Sequence, residues 1–187
     1  KLKKIFKDKF TYTFMEVDFR KMQTHNNIKT FYACSRFLCA EKLFKASHCE
    51  FINILDIDSI IRMEFDFTEY DLLLYKRKPI ESKGTIIKQA TEFAAGFVGI
   101  NRSAIKFLDV LNKALMYNVK LLDWYYDQIC IKHVYDAVGK HFNIKYITNN
   151  EFDWEFNAES KIWTGKGNRK YDDIGYIKQL NKYKLDI

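Results

Sequence analysis

Phe51-Ile52-Asn53-Ile54-Leu55-Asp56-Ile57-Asp58-Ser59-Ile60-Ile61 is the stretch on which the fold turns. Its first five residues form a short continuous apolar run, the pattern of a strand buried on both faces. Two carboxylates, Asp56 and Asp58, stand where that run gives out into Ser59. Ahead of it, Thr30 to Phe44 reads as a helix, with Phe31, Ala33, Phe37, Leu38, Ala40 and Leu43 to Phe44 recurring at spacings of three and four and no Gly or Pro between them. After it, Asp71 to Tyr75 reads as a strand, Pro79 to Lys88 as a loop and Phe93 to Ile100 as a second buried strand. Helices placed between buried strands imply an α/β sandwich.

The flanks are read in the same way. Phe10 to Val17 has strand composition, and Asp18 to Asn27 is polar enough for a loop or short helix. Ser103 is placed to cap a helix carrying Ile105, Leu108, Leu111 and Leu115 on one face. Asp123 is placed to cap another that turns Tyr126, Ile129, Cys130, His133 and Ala137 inward. Asn143 to Ile147 and Phe152 to Phe156 are strand candidates, Lys161 to Lys170 a Gly-rich basic loop, and Asp172 to Tyr183 a terminal helix. Without repeats, low-complexity tracts or Pro/Ser-rich linkers, one domain over 1–187 is the economical reading.

Composition bounds the function. The 187 residues are 48% apolar, with 16 Phe, 12 Tyr and 3 Trp, so disorder is excluded, and 7 Gly with 1 Pro exclude collagen-like and linker-like chains. The longest stretch free of charge, Phe93 to Asn101, falls far short of the roughly 20 apolar residues of a membrane helix. No secretory signal opens the sequence, which begins at Lys1. Cys34, Cys39, Cys49 and Cys130 lack metal-ligand or disulfide-framework spacing, so free buried thiols and a cytoplasmic location are expected. His25, His48, His133 and His141 show no ligand spacing either. The net charge of +7 favours anionic partners. Its basic residues are scattered over Lys1 to Lys9 and gathered over Lys161 to Lys170 without a long block, which argues against nucleic acid.

Asp56 and Asp58, two residues apart at a strand end, can both point at one hard cation, Mn²⁺ or Mg²⁺. Strand ends in open α/β sheets are where ligands bind. Lys166, Arg169 and Lys170, with backbone N–H groups around Gly165 and Gly167, could cradle phosphates beside such a metal. Gly96 and Gly99 within a strand suggest a close approach of ligand or backbone, or packing against a neighbouring helix. The cluster Trp124-Tyr125-Tyr126 reads as core or as the wall of an acceptor site.

FINILDIDSII, preceded by a helix with Arg36 in ACSRFLCAEKLF, resembles the D-x-D region of GT-A-fold glycosyltransferases similar to family eight. Phe93-Ala94-Ala95-Gly96-Phe97-Val98-Gly99-Ile100-Asn101 looks like the family's F-N-A-G-x-x-x-x-N strand, Asp127-Gln128 like its D-Q pair, and Thr164 to Lys170 like its H-x-x-G-x-x-K segment. The resemblance covers Phe31 to Lys170, about three quarters of the chain. It implies a GT-A-like (Rossmann-like) mixed sheet flanked by helices. It also implies transfer of a sugar, with retention, from a nucleotide-diphosphate-sugar such as a UDP-sugar to a hydroxyl on a glycan, lipid or protein. Asp56 and Asp58 would hold the metal. Arg36, Asp56, Ala95, Gly96, Lys166, Gly167, Arg169 and Lys170 would bind the donor, and Asp127 and Gln128 would be catalytic. Two positions depart from the pattern: Thr164 replaces the His that would be a third metal ligand, and Ala94 replaces Asn. Only 55 residues precede Asp56, which implies a fragment or a relative shortened in the N-terminal nucleotide-binding half. The competing readings are a basic polyanion-binding module and a catalytically degenerate transferase fold.

Overall fold

A computed structural model describes residues 25–77, 92–117, 125–165 and 167–183. The expected strand Phe10 to Val17, the loop Pro79 to Lys88, the cap Asp123 and the phosphate-side residue Lys166 lie outside the described residues.

The order is helix α1 (His25–Ala46), strands β1 (Phe51–Leu55), β2 (Ser59–Ile61), β3 (Leu72–Lys76) and β4 (Phe93–Asn101), helices α2 (Ile105–Tyr117) and α3 (Tyr126–Val138), strands β5 (Ile144–Ile147), β6 (Phe152–Asp153) and β7 (Ile162–Thr164), the helical turn α4 (Arg169–Asp172) and helix α5 (Ile174–Tyr183). The architecture is mixed α/β, with two mixed sheets flanked by helices. The larger sheet runs β1-β4-β3-β5 and the smaller β2-β7-β6. Both β1 and β3 pair antiparallel with β4, and β5 pairs parallel with β3. Consequently β1, β3 and β5 run the same way and end at one edge. No described helix is long and apolar enough to cross a membrane.

The core follows the two faces of the larger sheet. On one, Phe37 and Phe44 of α1, Phe107, Leu108 and Leu111 of α2, and Ile131 and Val134 of α3 cover Leu72, Leu74, Val98 and Ile100. On the other, Leu73, Tyr75, Ala94 and Phe97 meet Ile147, Phe152 and Ile162, which joins the large sheet to the small one. Ile60, Trp163 and Tyr176 make a third cluster beneath α5.

β4 carries an irregularity that matters below. Leu74 pairs with Val98 but Tyr75 pairs with Ala94, so Ala95, Gly96 and Phe97 bulge out of the β3 ladder. The inward phase of β4 slips there: Phe93 and Ala95 face the helices, and beyond the bulge Val98 and Ile100 do. A bulge re-aims side chains and backbone, and this one faces the end of β1.

Several expectations are corrected. β1 is an edge strand among the described residues: Ile52 and Ile54 pack toward the helices and Phe51 and Leu55 toward the other layer, but only Ile54 is fully buried. The helix after β4 is capped by Asn101, whose side chain accepts from the Ser103 N–H at 3.1 Å, while the Ser103 hydroxyl donates to Asp71. α3 is rotated from its expected face. It buries Cys130, Ile131 and Val134 in the core, with Asp127 on the same face paired to Arg36, and leaves Ile129, His133 and Ala137 exposed. The strand expected over Phe152 to Phe156 stops at Asp153, whose carboxylate takes the backbone N–H groups of Glu155 and Asn157 at 2.9 and 2.8 Å and folds the chain into a turn. Lys161 to Lys170 holds strand β7 and the start of α4 rather than one loop. α5 begins at Ile174, after the Asp173 carboxylate accepts the Tyr176 N–H at 2.8 Å. All four cysteines are free, but only Cys34 and Cys130 are buried, and burial pushes both thiols up, Cys130 to about 11.

Candidate functional site

Two adjoining hollows open at the edge where β1 and β3 end. The larger, about 350 Å³, is lined by Asp56, Arg77, Ala94, Ala95, Gly96, Tyr125, Gln128, Phe152, Trp154, Thr164, Gly165 and Gly167. The smaller, about 130 Å³, shares Asp56, Ala95, Gly96, Tyr125 and Gln128 with it and adds Thr30, Ala33, Arg36 and Asp127.

Each wall has a local cause. Asp56 sits one residue past β1, and its N–H donates to the Gly96 carbonyl at 3.1 Å, which fixes the carboxylate against the β4 bulge. A Cβ at position 96 would lie 2.7 Å from Asp56 Oδ2 and 3.2 Å from Phe152 Cζ. Glycine is therefore required by the approach of a carboxylate, while at Gly99 it is required by Leu73, whose side-chain carbons would stand 2.7 to 2.9 Å from an added Cβ. Gly96→Ala is expected to destabilise the fold by about 1–3 kcal/mol through overpacking. Urea denaturation checks this; an unchanged midpoint would mean that Asp56 swings aside freely.

Tyr125 takes a left-handed backbone, φ 77° and ψ 7°, immediately before α3. Its carbonyl accepts from the N–H groups of Gln128 and Ile129, each at 3.0 Å, so the helix begins abruptly and its first turn faces the hollows. A left-handed tyrosine is strained, and such residues gather at functional sites.

The electrostatics centre on Arg36 of α1. Its guanidinium donates to Asp56 and, at 3.1 Å, to Asp127 Oδ2. Asp127 Oδ1 accepts the Gln128 N–H at 2.8 Å. Burial holds the Asp127 carboxyl above its ordinary value, against the opposing pull of Arg36, and burial also lowers the Arg36 guanidinium. Arg77, just past β3, donates to Gln128 Oε1, which leaves the Gln128 amide NH₂ as the group that residue offers to a ligand.

Asp58 lies behind Asp56. Its carboxylate accepts from Thr164 Oγ1 and from Lys170 Nζ, each at 3.2 Å, and its carbonyl accepts from the Tyr176 hydroxyl at 2.7 Å. The contact with Asp58 holds the Lys170 ammonium above the ordinary lysine value. Thus Thr164, standing where a third ligand was expected, serves Asp58 instead. Gly167 has φ +57° and open space around it, which suits a turn whose backbone approaches a ligand.

Of the residues expected from sequence, the fold brings Asp56, Ala95, Gly96, Gln128 and Gly167 to the larger hollow and Arg36 and Asp127 to the smaller. Asp58 and Lys170 form a pair next to it. Arg169 is elsewhere: it is exposed and lies 3.5 Å from Glu155. Tyr125, read from sequence as core or an acceptor-site wall, lines both hollows, whereas Arg77, Phe152 and Trp154 were missed. Arg77 had a readable signal, since it follows a strand parallel to β1 and so ends at the same edge. Phe152 and Trp154 arrive through the smaller sheet, which no local pattern announces.

Among the described residues no three His, Cys, Asp or Glu side chains are grouped to hold a metal. Two carboxylates with substrate phosphates would nevertheless suit a hard cation, which is commonly held by one or two carboxylates plus phosphate oxygens. No protein-family model matches the chain, and neither any curated protein nor any solved structure shows significant similarity to it.

Proposed function

We propose that this chain is a metal-dependent glycosyltransferase of GT-A-like fold, moving a sugar from a nucleotide-diphosphate-sugar, a UDP-sugar, to a hydroxyl of a glycan, lipid or protein with retention of configuration. One observation carries the reading: Asp56, Ala95-Gly96, Gln128 and Gly167, from four separated stretches, line one hollow at the carboxyl ends of parallel strands. Unpaired cysteines agree with a cytoplasmic setting.

In this reading Asp56 and Asp58 would hold Mn²⁺ or Mg²⁺, and such an ion would supply Lewis-acid neutralisation of charge on the diphosphate. Lys170 and the backbone around Gly165 and Gly167 bind the phosphates. Arg36 is a positioning residue: it aims Asp56 from one side and fixes Asp127 from the other. Asp127 is buried and engaged at both oxygens, so it anchors the first turn of α3. Gln128 then presents its NH₂ to an oxygen of the bound sugar. The bulk of Phe152, Trp154 and Tyr125 excludes water and offers faces on which a sugar can lie.

Titration calorimetry of UDP with and without Mn²⁺, on the parent and on Asp56→Asn/Asp58→Asn at two salt concentrations, tests it. UDP is expected to bind the parent only with Mn²⁺ and to lose at least about tenfold in affinity in the double variant, more than 1.4 kcal/mol. A folded parent that ignores UDP sinks the reading. Metal-independent binding that falls steeply with salt would mark a polyanion site instead.

A further inference from the structure

The hollow has two ends with different chemistry. On the β1 side Asp56, Thr164 and Gly165 line it, with the Asp58–Lys170 pair beside them and the Gly165 N–H donating to the Asp58 carbonyl at 3.4 Å. On the β3 side lie Arg77, Gln128 and Trp154. β4 separates β1 from β3, so Asp56 and Arg77 leave strands two interstrand spacings apart, about 10 Å.

Arg77 is the unusual member. Arg36 is matched by Asp56 and Asp127, and Lys170 by Asp58. Arg77 has no carboxylate in salt-bridge range among the described residues; its bonded partner is the neutral amide of Gln128. Its Nε is buried and without a hydrogen-bond partner among them. Burial lowers its basicity, against the longer-range pull of Tyr125, Tyr75 and Asp127, none of which bonds it. The guanidinium lies 6.0 Å from the Trp154 ring, which in turn meets Tyr75 of β3 edge-on at 5.0 Å. A planar guanidinium held beside an aromatic wall suits bidentate contact with an oxyanion on a ring-shaped molecule.

We propose that Arg77 and Trp154 form an acceptor-side subsite for a sugar bearing an oxyanion, a carboxylate or a phosphate ester, at the end of the hollow away from Asp58 and Lys170. The proposal rests on the transferase reading for the word acceptor, but the anionic subsite itself does not need it. Trp154 supplies the face on which the ring lies, and Arg77 supplies the charge that separates anionic from neutral sugars. Such a residue selects the substrate and does no chemistry on it.

The test measures binding of methyl glucuronide, glucose 6-phosphate and methyl glucoside to the whole chain, by tryptophan fluorescence, with and without UDP and Mn²⁺. Methyl glucuronide, glucose 6-phosphate or both are expected to bind at least tenfold more tightly than methyl glucoside. Comparing the two tells carboxylate from phosphate ester. In Arg77→Gln that ratio is expected to fall to about one; Arg77→Lys, which keeps the charge but loses the fork, retains part of it. Circular dichroism checks that both variants fold, and either folded variant decides the matter. Equal affinity of all three sugars for the parent, a preference that survives in folded Arg77→Gln, or one that stays undiminished in folded Arg77→Lys, overturns the proposal. An anionic preference without UDP binding would uphold the subsite and remove the transferase reading, and UDP binding without the preference would do the reverse.

Discussion

Arg36→Leu is expected to lower stability by about 3–5 kcal/mol, the usual cost of removing one partner from a buried ion pair. The loss falls chiefly on Asp127, whose side chain is 8% exposed and whose counter-charge disappears. Asp56, 41% exposed, adds little because water screens it. The sign of the pH dependence follows. Burial already raises the Asp127 carboxyl, and removal of Arg36 raises it further above the unfolded value of about 3.9. A carboxyl raised on folding binds its proton more tightly in the native state. The extra penalty of the variant is therefore absent at acid pH, and it grows as pH rises through the parent's raised folded value toward the variant's still higher one. Urea denaturation of variant and parent between pH 4 and pH 8 should show the gap widening toward neutrality. A gap that stays constant would mean that Asp127 finds another partner. Arg36→Leu/Asp127→Leu should recover part of the loss, because no buried charge then stands alone.

Phe97→Ala is expected to cost a similar amount, about 3–5 kcal/mol. Phe97 is 1% exposed and sits where the two sheets meet, with its ring centroid 5.6 Å from Phe152 and 6.1 Å from Phe65. It also closes the β4 bulge, so the cavity would open directly behind Gly96 and Asp56. Denaturation in guanidinium measures the cost, and a loss below about 1.5 kcal/mol would mean that the layers close over the gap.

The elements legible in the sequence were those whose pattern is local. The Thr30 to Phe44 helix is within α1, and Phe93 to Ile100 lies within β4, because periodicity and continuous apolar runs are decided by near neighbours. The run Phe51 to Leu55 also marks a strand, but its place at the edge depends on the partner order, which no run of residues encodes. α3 shows the limit most clearly. Of the expected inward set, Ile129, His133 and Ala137 are exposed; the buried face is Cys130, Ile131 and Val134, joined by Asp127, whose partner Arg36 is 91 residues away in sequence. The site was legible as a set of motifs and illegible as a surface. Arg77 and Trp154 reach it through the strand order and the smaller sheet, and Arg169 leaves it for Glu155.

The β4 bulge also sets how the molecule breathes. Phe97 to Asn101 is laced to β1, and Val98 to Ile100 to β3 as well, so those amides are released to solvent only when the sheet itself comes apart. Ala95 and Gly96 fall in the gap of the β3 ladder. An opening there needs no disassembly of the sheet, so amide hydrogen exchange along β4 is expected to be slowest over Val98 to Ile100, which are paired on both sides, and faster at the notch beside Asp56.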